Sequence, residues 1–346
     1  MSRKRISAHI WLGSARQDYK ETWHIVFMPS RRLTLIVSCS YKTDVPTFYA
    51  EWFLNRLRAG YCLSVNPYGG QIYRVNLKRD AVDGFVFWTK NVGPFLPGLQ
   101  EVAQRGYPFV IQYTINGYPR SLESAVVDAE RSVAHVKLLC RQYGSEVAVW
   151  RYDTIVFTSA TPIAFHLENF ERLAAGMEGS TNEVVISYVQ LYSKTRRNME
   201  LAADAKGFEW HDPEASIKCD LTAKLSEIAR RYGMQLAVCS QNRYLSVGAS
   251  EARCVDIDRL SRVAGYPIVA PRKANRPECG CYAARDIGEY DTCPHGCVYC
   301  YAVQNQELAQ ARFRRHDPLS EFLFEPENNS HPPDHGEYDL IQGALF

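Results

Sequence analysis

Residues 84–115 read GFVFWTKNVGPFLPGLQEVAQRGYPFVIQYTI, and they decide the fold class. GFVFWTK (Gly84 to Lys90) is an apolar and aromatic run too short for an ordinary helix, which predicts a strand buried on both faces. LPGLQEVAQRG follows, with Pro near its start and Gly at its end, the punctuation of a short helix. FVIQYTI (Phe109 to Ile115) is then a second buried strand. Strand, helix and strand in one stretch make a βαβ unit, whose strands run parallel.

Working outward, the alternation recurs. LTLIVSCS (Leu33 to Ser40) reads as a strand and TFYAEWFLNRLRA (Thr47 to Ala59) as a helix between Pro46 and Gly60. YCLSVN from Tyr61 reads as the next strand, with a turn or hairpin at NPYGGQ. WHIVFM near residue 25 offers one more strand. Downstream, SLESAVVDAERSVAHVKLLCRQYG predicts a long helix ending at Gly144, EVAVWRYD (Glu146 to Asp153) a strand and PIAFHLENFERLAAGM a helix. EVVISYVQLY (Glu183 to Tyr192) is a strand; after a polar loop come helix DLTAKLSEIARRYG and strand MQLAVCS (Met234 to Ser240). Such repetition predicts a parallel sheet covered by helices. No GxGxxG or GxxxxGK[ST] follows a strand, so an open nucleotide-binding sheet lacks its fingerprints. The expected fold is α/β, a complete or partial (β/α) TIM-like barrel over residues 1–270. A cysteine-rich segment, 271–324, is expected to pack on it and close its mouth, and 325–346 to form a loosely ordered tail.

The chain has 346 residues, 46% of them hydrophobic, which is ample for a sizeable core. No apolar run approaches the roughly 18 to 20 residues that cross a bilayer. The basic N-terminus MSRKRISAHIWLG carries neither a long apolar segment nor a small-residue cleavage site, so the expectation is a cytoplasmic protein without a membrane partner. A net charge of +2, built from interspersed charges of both signs, argues against a dedicated nucleic-acid face.

Polar residues collect where the strands end. In a barrel those ends converge on the C-terminal mouth, where active sites lie. Lys42, Asp44, Arg151 and Asp153 are the candidate catalytic residues; Asn66, Thr89, Gln112 and Ser187 are candidates for holding a cofactor. Arg151 and Asp153 either pair with each other or bind a cofactor carboxylate. Trp88 and Tyr113 read as packing.

Of eleven cysteines, Cys39, Cys62, Cys140 and Cys219 are scattered and read as small buried hydrophobes. The other seven fall in the final third. Cys293, Cys297 and Cys300 form C-x3-C-x2-C, a spacing that wraps a chain around a [4Fe-4S] cluster with a thiolate on each of three irons. Clusters usually take four thiolates, so a triplet reserves one iron for another ligand. Cys239, Cys254, Cys279 and Cys281 are the right number for a second, closed [4Fe-4S] cluster; a zinc site, or no metal at all, stays open. His295, inside the triplet, reads as a solvent-facing loop histidine. Asp286, in the linking DIGEYDT, accepts from loop amides or from a ribose.

CPHGCVYC resembles the CxxxCxΦC signature of radical S-adenosylmethionine enzymes. The resemblance implies that Cys293, Cys297 and Cys300 ligate the cluster, that the open iron takes the amino and carboxylate groups of S-adenosylmethionine, and that Tyr299 packs near the adenine. Most such enzymes carry the motif after their first strand; here it follows the last. VSCSYKTDVPTFYAEWFLNRLRAGYC, GFVFWTKN, IQYTINGY, VWRYDTI, ISYVQLYSKTRRNM, CGCYAARDIGEYDTCPHGCVYCYA and QGALF together resemble domain-of-unknown-function family 1848, whose members carry such a C-terminal cysteine cluster. There Ser40-Tyr41-Lys42-Thr43-Asp44 stands where Ser-x-Arg-Thr-Asp is more usual. The expectation is an enzyme that generates a 5′-deoxyadenosyl radical at the barrel mouth. It would act on a small-molecule or peptide substrate and draw electrons from a donor such as flavodoxin or ferredoxin. The alternatives are a non-catalytic iron–sulfur or zinc protein for redox sensing, structure or docking, and a nucleic-acid repair lyase, for which only the KTRRN loop (Lys194 to Asn198) speaks.

Overall fold

The computed structural model describes residues 35–67 and 69–326. WHIVFM, the closing QGALF and the tail from residue 327 lie outside the described residues.

Eight strands form one sheet: β1 (Leu35–Cys39), β2 (Val82–Thr89), β3 (Phe109–Thr114), β4 (Ala148–Ile155), β5 (Glu183–Tyr188), β6 (Gln235–Val238), β7 (Ala249–Glu251) and β8 (Arg285–Asp286). Their order across the sheet is β7-β6-β5-β4-β3-β2-β1-β8. Every ladder is parallel, with Val37 opposite Phe85, Gln112 opposite Val149 and Arg151 opposite Val185. This is barrel order, each strand beside its neighbour in sequence and the last beside the first. Among the described residues β7 and β8 are not paired, so the barrel is partial and open at that seam.

The connecting helices are α1 (Val45–Phe48), α2 (Ala50–Ala59), α3 (Leu96–Gln104), α4 (Ala129–Tyr143), α5 (Ile163–Gly176), α6 (Ser193–Lys206), α7 (Ala215–Arg231), α8 (Ile257–Ala264) and α9 (Gln306–Arg315). The helix expected from Thr47 to Ala59 is thus broken at Tyr49. Asp44 caps the first piece by accepting from the Thr47 N–H at 2.9 Å, and Gly60, at φ +81°, ends the second. No helix of the described residues is long and apolar enough to cross a membrane.

Alternation along the strands sorts the core into two faces. Val37, Phe85, Phe87, Phe109, Ile111, Trp150, Tyr152, Ile186 and Val238 face the helices. On the other face Ile36, Val86, Val110, Val149, Val185 and Ala237 meet in one apolar layer. Two residues further along each strand that face turns polar or aromatic: Ser38, Trp88, Gln112, Arg151, Ser187 and Cys239. One floor of the sheet is hydrocarbon and the next can do chemistry.

Three expectations change. YCLSVN is no strand of this sheet; Tyr61–Val65 pairs antiparallel with Ile72–Asn76 as a separate hairpin. Residues 193–206, taken as a polar loop, are helix α6. The cysteine-rich segment does more than pack on the sheet, because it supplies β8 and fills the seam. There the Tyr282 N–H donates to Val255 O at 3.1 Å and the Ala283 N–H to Pro271 O at 2.8 Å.

Candidate functional site

The cysteine triplet lies just after β8, held against the C-terminal ends of β1 to β3. Its loop is zipped to residues 122–125: the Val298 N–H donates to Leu122 O at 3.1 Å, the Ala125 N–H to His295 O at 3.0 Å, and Glu123 bridges Cys297. These partners explain why the helix expected from Ser121 starts only at Ala129. Its first turns are spent as main-chain partners of the cysteine loop. Gly296 makes the turn between Cys293 and Cys297 at φ +71°, and a Cβ there would run into Ser124 Oγ.

The Ala302 N–H lies 3.3 Å from Cys300 Sγ, and the backbone amides of His295 and Asp44 work against burial at the Cys293 thiol. Burial pushes the Cys293 thiol up to about 12 and Cys297 well above its ordinary value, while Lys90 beside Cys297 works the other way.

Behind the loop is a buried polar cluster. Glu123, 3% exposed, accepts from Lys90 Nζ at 2.7 Å, from Asn116 Nδ2 at 3.1 Å and from the Tyr299 hydroxyl. Tyr299 OH also lies 2.9 Å from Asn116 Nδ2 and 3.2 Å from Lys90 Nζ. Burial by itself would raise the Glu123 carboxyl; Lys90 and the hydrogen bonds bring it below the usual carboxylate range. Burial likewise opposes the charge on Lys90, and Glu123, Cys297 and Asp153 outweigh it, so the ammonium is retained.

His295 is not solvent-facing. It is 3% exposed, donates from Nε2 to Asp44 Oδ2 at 2.7 Å and packs edge-on to Phe48. Asp44 accepts the Lys90 N–H at 2.7 Å as well, so one carboxylate joins β1, β2 and the cysteine loop.

The other four late cysteines gather at the seam. Cys239 Sγ and Cys254 Sγ stand 3.5 Å apart, and at the same seam the neighbouring Cys281 thiol brings the Cys279 thiol down to about 5. Two guanidiniums flank them: Arg151 Nη1 at 3.0 Å from Cys254 Sγ and Arg276 Nη2 at 3.5 Å from Cys239 Sγ. Arg151 also donates to Gln112 Oε1 at 3.1 Å and to Asp153, which accepts from Ser187. Burial would raise the Asp153 carboxyl, but Arg151, Ser187 and Arg276 hold it low. Arg151 and Asp153 thus pair with each other at the end of β4. The Asp153 N–H donates to Asn116 Oδ1 at 2.9 Å, which joins both cysteine groups in one polar network.

The remaining candidates are occupied locally. Lys42 reaches Gly288 O at 3.3 Å and pairs with Asp286 at 3.7 Å. Asp286 accepts from Ser38, Ser40 and the amides of Tyr41 and Gly288, which matches the loop-amide reading. Thr89 accepts from the Asn91 N–H at 2.9 Å and meets Thr47. Asn66 belongs to the hairpin turn, beside Gln71 and Tyr73, and not to a strand end of the sheet. Trp88 is half-buried, donating to Ser38 Oγ at 3.1 Å with Arg151 over its ring; Tyr113 is buried against His135.

Among the described residues no group of three or more His, Cys, Asp or Glu side chains converges as the ligands of a single ion do. The model of the family described as domain of unknown function (DUF1848) matches residues 36–302. The chain belongs to that family. The DUF1848 match runs from β1 to the residue after Tyr301 and so takes in all seven late cysteines. No curated protein and no solved structure matches the chain. Sequence reasoning passed over Glu123, the buried acceptor at the centre of this cluster in the DUF1848 protein, because it reads as one more acidic position on a helix. Asp128 with Glu130 two residues on was the available signal that the helix starts later.

Proposed function

We propose that this DUF1848 protein is an iron–sulfur enzyme of the radical S-adenosylmethionine type, with its open cluster at Cys293, Cys297 and Cys300. The observation that carries the reading is the triplet loop itself. Three thiols sit around one glycine turn at the C-terminal end of a partial barrel, in a loop zipped to residues 122–125, with the Ala302 N–H on Cys300 Sγ. Three cysteines at C-x3-C-x2-C spacing are the donor set that three irons of a cubane take from one chain. When bound with S-adenosylmethionine, such a cluster supplies one electron that cleaves the sulfonium to a 5′-deoxyadenosyl radical.

The chain's own residues do the rest. Leu122 to Ala125 and Asp44 fix the loop against the sheet, and the apolar layer beneath keeps water from the floor of the site. Glu123, Asn116 and Lys90 tie the Tyr299 hydroxyl, leaving the ring as a fixed wall. The four cysteines at the seam form a second thiol group beside Arg151 and Arg276, the donor number of a second, closed [4Fe-4S] cluster.

The test is anaerobic purification with iron, sulfide and zinc counts, then reduction, addition of S-adenosylmethionine and assay of 5′-deoxyadenosine. About eight irons with cleavage supports two clusters, about four irons plus zinc supports one and a staple, and zinc without cleavage overturns the proposal. Cys297→Ala is expected to abolish cleavage and lose about four irons, while Cys281→Ala spares the triplet's iron.

A further inference from the structure

We propose that Lys90 and Glu123 are positioning charges that set the reduction potential of the centre carried by Cys293, Cys297 and Cys300, Lys90 raising it and Glu123 lowering it. This rests on the iron–sulfur reading above. Lys90 leaves the end of β2 and Glu123 the segment zipped to the cysteine loop, and both side chains are largely buried, 14% and 4% exposed. The Glu123 main chain bridges Cys297 itself, so the backbone fixes how far the carboxylate stands from that sulfur. Lys90 Nζ is held 2.7 Å from Glu123 Oε1 and 3.2 Å from Tyr299 OH, and cannot swing out to solvent without leaving a buried carboxylate unpaired.

Charges in such a place are poorly screened, and their effect on a neighbouring centre is larger than at a surface. One electron passes from a low-potential carrier to the centre; no bond forms or breaks and no proton moves. Reduction makes the centre more negative, so an adjacent ammonium favours the reduced form and an adjacent carboxylate disfavours it. Because the two charges cancel in the native protein, deleting either leaves the opposite one exposed to the centre. The two deletions therefore act with opposite sign, which a merely structural pair does not do. A structural pair loses the same thing whichever partner is removed.

The experiment is an EPR-monitored redox titration of the anaerobically purified full chain, with iron and sulfide counted in each sample. Lys90→Met is expected to make reduction about tenfold less favourable, about 59 mV for one electron, and Glu123→Gln to shift it by a similar factor the other way. Lys90→Arg keeps the charge and stays with the wild type. Potentials that move in the same direction, or a Glu123→Gln protein that keeps its iron and does not move, overturn the inference. Should Lys90→Met fail to retain iron, Glu123→Gln, nearly the same shape as the native residue, decides alone. A wild-type protein without iron and sulfide removes the iron–sulfur reading and this inference with it, whereas iron with unmoved potentials removes only the inference.

Discussion

Glu123 shows how much a single side chain can hold. Its carboxylate satisfies an ammonium, an amide and a phenol, all buried. Glu123→Ala takes the carboxylate from all three and leaves the Lys90 ammonium, among the described residues, with only the Tyr299 hydroxyl beside it. Breaking a buried ion pair from one side costs about 3–5 kcal/mol, because the surviving charge stays desolvated. The expected outcome is a loss of that size in guanidinium unfolding of the metal-free protein, with a smaller loss for Glu123→Gln, which keeps an acceptor. A loss under about 1 kcal/mol, the size of an exposed pair, contradicts the burial described here.

At the level of elements, α5 is pinned to β4 by one histidine. His166 is fully buried, its Nδ1 2.9 Å from Tyr152 OH and its Nε2 3.1 Å from Val156 O. Burial holds its pKa down to about 4. The unfolded chain takes up that proton near pH 6.5, the native protein only near 4. Stability from this group is therefore complete above pH 6.5 and declines as pH falls from there towards 4, by at most about 3 kcal/mol. Urea unfolding at pH 7 and pH 5 measures it, and His166→Gln should flatten the difference; an unchanged pH slope in the variant excludes His166 as its source. The strands and helices of this core were legible because their apolar runs and 3.6-residue stripes face a continuous interior. The hairpin turn at residues 66–71 was expected, but the strand at Tyr61 was assigned to the wrong sheet, because composition gives strand character without naming the partner strand. Helix α6 was missed because only Thr195, Met199 and Ala202 of its residues are buried, a stripe thin enough to be lost among charges. The cysteines announced themselves by spacing. Lys90 and Asn116 read only as two of the polar residues at strand ends and Glu123 not at all, since their nearness to Tyr299 exists only once three loops are folded together.

For the whole molecule, the weak line is the seam between β7 and β8, where side chains and loop hydrogen bonds replace a strand ladder. On the iron–sulfur reading proposed above, removing the metal is expected to speed amide hydrogen exchange across residues 252–256 and 271–304, with β2 to β5 unchanged. A uniform change over the sheet would mean that the cysteine groups do not staple the seam. The placing of β8 beside β1 has one more effect, on timing. As the ribosome extends this region, β1 emerges early, and among the described residues its neighbour β8 is made only after six further strands. That second neighbour arrives with the cysteine-rich segment. Completion of the sheet and formation of the cysteine loop thus fall late in synthesis, and on the iron–sulfur reading proposed above a cluster would be received only then.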